Sequence, residues 1–195
     1  MKMRRDYAAS MLLFVAFCAC ATAPASATTL ERMSLARMAQ TAQAIVRARC
    51  TGNFTAWDAG EIWTFTAFAV EDAWKGEAAL GSEPQLTVRL LGGSVGNLTS
   101  TVSGVPRFRA GEEVVLFLEP TVRGDFSVVS WVQGTFRIRR EARSGGEIVT
   151  QDTAAFDTYD PATRQFEAAG IRNLPVAALR ERVQAALAVA PGGKK

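Results

Sequence analysis

The sequence predicts a mostly β protein: a small closed barrel with a short N-terminal helix and a C-terminal helix. Three observations point there. Short apolar or alternating runs recur from Ala44 to Gln151, separated by turns rich in Gly, Asp and Pro. One run, Ile62 to Trp74, is long and rich in Thr and aromatics, which favours a bent barrel strand over a flat sandwich. Outside this region the apolar residues fall at helical spacing.

Taken in order, residues 1–27 read as an export signal. Lys2, Arg4 and Arg5 begin it, Met11 to Cys18 is apolar, and Ala25-Ser26-Ala27 is a small-x-small cleavage site. The apolar run is shorter than the roughly 20 residues that span a bilayer, so no stable membrane span is expected after cleavage. A lipid-anchored form needs a Cys behind small residues with Leu or a similar residue three places earlier, and Cys18 and Cys20 fit that pattern poorly. The expected location is periplasmic or secreted.

Residues 28–43 are expected to hold the N-terminal helix, Leu30 to Ala42. Ser34 would cap it, and Leu35, Met38, Ala39 and Ala42 share a face. Residues 44–152 are the expected barrel domain. Its strands read as Ala44 to Thr55, Ile62 to Trp74, Gln85 to Leu91, Glu113 to Glu119, Phe126 to Trp131, Thr135 to Arg140 and Glu147 to Gln151. Glu113 to Glu119 is strongly apolar and should be central. Ser94 to Val105 reads as loop with some strand, Pro106 to Gly111 as a bend, and Gly134 as a bulge. Residues 153–195 form a polar, irregular segment and then a helix from Pro175. Its stripe is Val176, Leu179, Val183, Leu187 and Ala190, which should lie on the barrel rather than on a membrane.

Composition narrows the chemistry. Cleavage after Ala27 leaves 168 residues, enough for one domain with its own core. The whole chain has a net charge of +3, but the mature part keeps only +1, so charge gives no argument for nucleic acid. Cys50 remains as the single mature cysteine, which precludes an internal disulfide. Val46, Ala48 and Cys50 alternate with Arg47 and Arg49, which makes Cys50 a small buried residue. The chain has no histidine, which removes Ser-His-Asp and Cys-His catalysis and His-ligated zinc.

Several stretches look familiar together. Ala44 to Arg49 leads into the strand ending Trp74-Lys75-Gly76. Thr87 to Gly93, Phe108 to Leu118 and Gln133 to Ile138 follow. This resembles a set of exported bacterial proteins of uncharacterised function. In strand order it is also similar to the netrin-like domain of tissue inhibitors of metalloproteinases. The resemblance covers Ala44 to Arg139 and implies an OB-like barrel. It implies no inhibitory residues. Those inhibitors use a disulfide-held N-terminal Cys, whereas this mature chain would begin at Thr28-Thr29.

The candidate sites each have a plainer reading. Gly92-Gly93-Ser94-Val95-Gly96 leads into β-like sequence rather than a helix, so a turn is favoured over a phosphate loop. Arg123-Gly124-Asp125 matches an adhesion tripeptide but also suits a tight turn. Lys75, the only lysine of the mature body, reads as a solvated turn residue. Trp63, Phe65, Phe68 and Trp74 would make either a stacking platform or core, with core favoured. Arg47, Arg49, Arg89, Arg137 and Arg139 would make either a basic stripe or a charge-balanced face, with balance favoured. Among Asp58, Glu61, Glu71, Asp72, Glu112 and Glu113 no spacing selects a glycosidase pair.

These readings combine into an exported, monomeric, non-catalytic domain with no cofactor, no metal and no nucleic-acid partner. It would bind an extracytoplasmic protein or polymer. A peptidase inhibitor is the second reading and a carboxylate-based hydrolase the third. The expected contact surface is the Ser94 to Val105 loop with the Pro106 to Glu113 bend, through Ser94, Asn97, Arg107 and Arg109.

Overall fold

Strands dominate the computed structural model, which describes residues 30–80, 85–142, 144–153, 158–167 and 170–189. The expected signal, residues 1–27, lies outside the described residues. In chain order the elements are β1 (Leu30–Glu31), α1 (Leu35–Thr41), β2 (Ala44–Asp58), β3 (Glu61–Lys75), α2 (Glu77–Leu80), β4 (Gln85–Leu91), β5 (Gly93–Val95) and β6 (Leu98–Ser100). Then come β7 (Glu113–Pro120), β8 (Phe126–Val128), a 3-10 turn (Trp131–Gly134), β9 (Thr135–Arg140) and β10 (Glu147–Gln151). β11 (Thr158–Asp160), β12 (Gln165–Glu167), β13 (Leu174–Pro175) and α3 (Val176–Ala188) complete the described elements.

Eight strands form one sheet in the order β13-β10-β9-β7-β2-β3-β4-β8, and β8 pairs back onto β7. Five of them, β7-β2-β3-β4-β8, therefore follow one another around a ring. Every pairing in the ring is antiparallel except β4 with β8, which meet at Val88 and Phe126. One edge of β7 is shared. Val114 to Leu116 pair with β9, and Leu118 to Pro120 pair with β8.

That sharing corrects the expected strand Phe126 to Trp131. The strand stops at Val128, and the chain turns through Ser130 and Trp131, both left-handed with φ of 50° and 51°. Gly134 lies in the 3-10 turn that follows rather than in a bulge. A Cβ there would stand 2.3 Å from the Val129 carbonyl oxygen, so the close approach of two backbones demands glycine.

Two apolar clusters occupy the two faces of β2 and β7. Inside the ring, Val46, Ala48, Cys50, Phe68, Val88, Val114 and Leu116 pack together. Phe108, from the bend before β7, meets Phe68 edge-on with ring centroids 5.0 Å apart. On the outer face, Ile45, Trp74, Val115, Phe117, Phe136 and Val149 pack under Met38 and Ala39 of α1 and Leu179 and Val183 of α3. Leu179 and Val183 of the α3 stripe are thus buried on the sheet and Val176 and Leu187 partly so; Ala190 lies outside the described residues. Arg180 and Gln184 of α3 add polar ties, a 2.9 Å ion pair to Asp72 and a 3.0 Å hydrogen bond to the Trp74 carbonyl.

The N-terminal helix is shorter than expected. Ser34 does cap it, accepting from the Arg37 amide at 3.2 Å. Leu30 and Glu31 leave the helix to form a parallel pairing with β11. The described part of the polar segment before α3 contains strands that were not expected. β11 and β12 make a hairpin in which Tyr159 packs on Phe166 at 5.3 Å. Lys75 is not a solvated turn residue. Its Nζ donates to the carbonyls of Ala39 (2.8 Å), Gln40 (3.1 Å) and Ala42, the C-terminal end of α1. A cation there satisfies orphan carbonyls and complements the helix dipole.

Two substitutions test this architecture by denaturant unfolding. Gly134→Ala should cost about 2–3 kcal/mol, because the Val129 backbone has to move. Lys75→Met keeps the aliphatic stem and should cost about 1–2 kcal/mol through the lost charge-assisted hydrogen bonds.

Candidate functional site

The β2–β3 hairpin is longer than the sheet that supports it. Each strand has fifteen residues, and they stay paired out to Asp58 and Glu61. β7 accompanies β2 only from Ala44 to Arg49. A register shift between Cys50 and Gly52 separates the supported half from the overhang. Beyond it, Asn53 and Thr55 stand opposite Thr66 and Thr64, on the face that continues the ring interior through Phe68. Phe54 stands opposite Phe65 on the outer face.

The outer face is aromatic. Phe54 is 63 % exposed and stacks on Phe65, with centroids 5.0 Å apart and planes 12° from parallel. Arg89 of β4 lies directly opposite Phe65. Its guanidinium sits 4.2 Å over the Trp63 ring and 5.2 Å from that of Phe65, an attraction between cation and ring face. Asp58 accepts from Arg89, and Arg123 reaches the other Asp58 oxygen at 3.2 Å. The Arg89 hydrogen bond holds the Asp58 carboxyl below the usual range. The four aromatics proposed as platform or core therefore divide. Phe68 is inside the ring, Trp74 is in the outer cluster, and Trp63 and Phe65 flank the exposed face.

The inner side of the overhang is polar. β5 and β6 pair as a short hairpin across it. Together they bound a cleft of about 470 Å³ whose walls include Asn53, Thr55, Thr64, Ser94, Thr99 and Arg107. Of the four expected contact residues, Ser94 and Arg107 line this cleft. Asn97 lies in the turn between β5 and β6. Arg109 is exposed on the following bend, where its amide donates to Glu112 at 3.1 Å.

The plainer readings hold elsewhere. Arg47 and Arg49 are tied to Glu71 and Glu113, Arg47 also to Glu147, and Arg137 to Glu112 and Asp152. Carboxylates thus balance four of the five stripe arginines, Arg89 included, and pairing with Arg47 lowers the Glu147 pKa. The Arg123-Gly124-Asp125 turn uses its own side chains: Asp125 accepts from the Thr121 hydroxyl, and Arg123 is paired with Asp58. Cys50 is buried in the ring, and burial pushes its thiol pKa up. A polar pocket of about 550 Å³ beside α1 contains the buried amides of Gln133 and Gln151, but both are engaged by backbone groups of Glu31, Met33 and Ile171. Among the described residues no three His, Cys, Asp or Glu side chains gather as metal ligands, and no helix is long and apolar enough to cross a membrane.

Sequence reading followed the alternation of β2 only as far as Cys50 and did not single out Phe54. A glycine inside a strand is a signal for a bulge, and resetting the alternation there turns Phe54 outward.

The Arg89–Asp58 pair yields a pH prediction. The folded pKa of Asp58 lies below its unfolded value of about 3.9. Its contribution to stability is complete above that pH and is lost as pH falls through the folded value. The wild-type denaturation midpoint should therefore fall in that acid window. Asp58→Asn should lower the midpoint at neutral pH and flatten its acid slope, with Glu147 supplying what slope remains. Neither a family model nor a curated protein matches the chain.

Proposed function

We propose that this chain is an exported, non-catalytic binding module built on an OB-type barrel, and that it holds a glycan polymer against the outer face of β3 and β4. The pairing order of the ring supports the barrel type. Its first strand pairs with the second and fourth, and its third meets the fifth in parallel. Barrels of this type bind ligands on the second and third strands and on the loops that follow the first and fourth. Those positions here are β3, β4, the turn after Asp58 and the turn around Arg123. The stacked Phe54–Phe65 pair beside Trp63 and Arg89 lies on that face.

The observation that carries this reading is the exposed Phe54 ring. A flat apolar ring held by a second ring suits the C–H face of a pyranose. The neighbouring cations Arg89 and Arg123 are both engaged by Asp58. That disfavours a nucleic acid, whose affinity comes largely from phosphate contacts with free Lys and Arg. The carboxylates weigh against a hydrolase. Five of the six considered, Asp58, Glu71, Asp72, Glu112 and Glu113, are ion-paired with arginine, so they are not free to act as proton donors. No specific observation favours the peptidase inhibitor.

Affinity gels containing cell-envelope polysaccharides test the reading. At least one polymer should retard the wild-type protein. Phe54→Ala should weaken retardation about fivefold, the equivalent of about 1 kcal/mol of stacking, with little change in thermal stability. Absence of retardation by every polymer, or retardation unchanged in Phe54→Ala, would overturn it.

A further inference from the structure

We infer that the cleft between the β2–β3 overhang and the β5–β6 hairpin is a second, separate binding site, for a sugar bearing a single carboxylate, of the hexuronic acid class. The inference starts from Arg107. Its Nη1 donates to the Thr64 hydroxyl at 2.8 Å and its Nη2 to the Ser100 carbonyl at 3.4 Å. Both acceptors are uncharged. Among the described residues no carboxylate lies within ion-pair distance of Arg107, whereas Arg47, Arg49, Arg89, Arg123 and Arg137 all have one. A guanidinium has five N–H donors, so three remain for a ligand.

The backbone holds this cation in place. Gly92 passes under the guanidinium, and a Cβ there would stand 2.7 Å from Nη2 and 2.8 Å from the Ser100 carbonyl oxygen. Gly93 passes equally close to the hairpin, with its missing Cβ 2.5 Å from a Thr55 methyl and 2.8 Å from the Thr64 hydroxyl. Both glycines have left-handed φ, +91° and +142°. The Gly92-Gly93 pair thus brings the chain against the hairpin and leaves room for the Arg107 head, a role distinct from a phosphate loop. Thr64 is positioned in turn by donating to the Gly92 carbonyl at 2.6 Å.

The rest of the wall sets the ligand class. Ser94 and Thr99 share a 2.8 Å hydroxyl–hydroxyl hydrogen bond, and Ser100, Thr101 and Asn53 add further polar groups. Phe108 is the one large apolar residue on the wall, and its ring is buried against Phe68. The Thr55 and Thr64 hydroxyls are spent on the Ser94 and Gly92 carbonyls, but those of Ser94, Thr99, Ser100 and Thr101 can still donate or accept. The Asn53 amide keeps its oxygen and one N–H after donating to the Phe108 carbonyl at 3.0 Å. This lining matches a polyhydroxylated ligand better than an apolar side chain of a peptide. One unneutralised guanidinium matches one carboxylate in a forked, two-bond geometry. A phosphate dianion would leave a charge uncompensated. The volume, about 470 Å³, accommodates a sugar residue.

Calorimetric titration of the purified protein with sodium glucuronate and sodium galacturonate tests this, with glucose, galactose and inorganic phosphate as comparisons. One of the uronates should bind saturably, and its neutral hexose counterpart and phosphate at least about tenfold more weakly. Arg107→Gln should abolish uronate binding, and Arg107→Lys, which keeps the charge and loses the fork, should weaken it several-fold. Arg109→Gln, outside the cleft, should leave it unchanged. Phe54→Ala should also leave it unchanged, which separates this site from the outer face whichever way the polysaccharide gels turn out. Equal binding of uronate and neutral hexose, full uronate binding by a folded Arg107→Gln, or no saturable uronate binding would overturn the inference.

Discussion

Stretches of two strands have no solvent face, and the rest of the molecule is arranged around that constraint. Ala44 to Val46 of β2 and Val114 to Leu118 of β7 are buried on both sides. One side faces the ring interior and the other faces α1 and α3. Each fully buried Val, Ile, Leu or Phe there is worth roughly 1.5–3 kcal/mol of transfer free energy. Such strands must be covered twice. The ring covers one side by closing through β8, and the helices cover the other. β7 can serve both because its free edge is divided between β8 and β9. The division forces the tight crossing at Gly134 and the left-handed Ser130 and Trp131.

Charge is distributed by the same geometry. Where the outer face of β2 emerges from under the helices, Arg47 and Arg49 meet Glu71, Glu113 and Glu147 in one network. At the open side of the ring, Arg137 lies 5.6 Å from the Phe108 ring and joins Glu112 to Asp152. At the hairpin tip, Arg89 and Arg123 share Asp58. Partly buried pairs of this kind matter chiefly because losing one member strands the other. They also make Arg107 stand apart. It is exposed, and the acceptors that orient its head are neutral.

Much of the fold was legible in the sequence, for identifiable reasons. The apolar run Val114 to Leu118 marked a central strand, and Ser34 marked a helix start. The alternation of Gln85 to Leu91, Thr135 to Arg140 and Glu147 to Gln151 gave their limits correctly. What escaped notice depends on remote partners. β1 is two residues long and forms by pairing across the chain with β11, itself held in a hairpin with β12. Lys75 is a helix cap only because α1 ends beside it. Of the expected contact residues, Ser94 and Arg107 meet in one cleft because β5 folds across the hairpin, a contact that nothing in the local pattern encodes.

The feature that joins the two candidate surfaces is the bulge between Cys50 and Gly52. A strand that kept strict alternation from Val46, Ala48 and Cys50 would send Phe54 inward and Asn53 and Thr55 outward. The overhang would then present its polar groups to solvent and press an aromatic ring against Ser94 and Thr99. One extra residue reverses this. Phe54 turns out to stack on Phe65, and Asn53 and Thr55 turn in beside Thr64 and Arg107. The supported half of β2 can follow the alternation a core requires, while the overhang follows the opposite one. A single irregularity thus separates the residues that hold the ring together from those of the two candidate surfaces, and it gives one hairpin an apolar outer face and a hydroxyl-rich inner one.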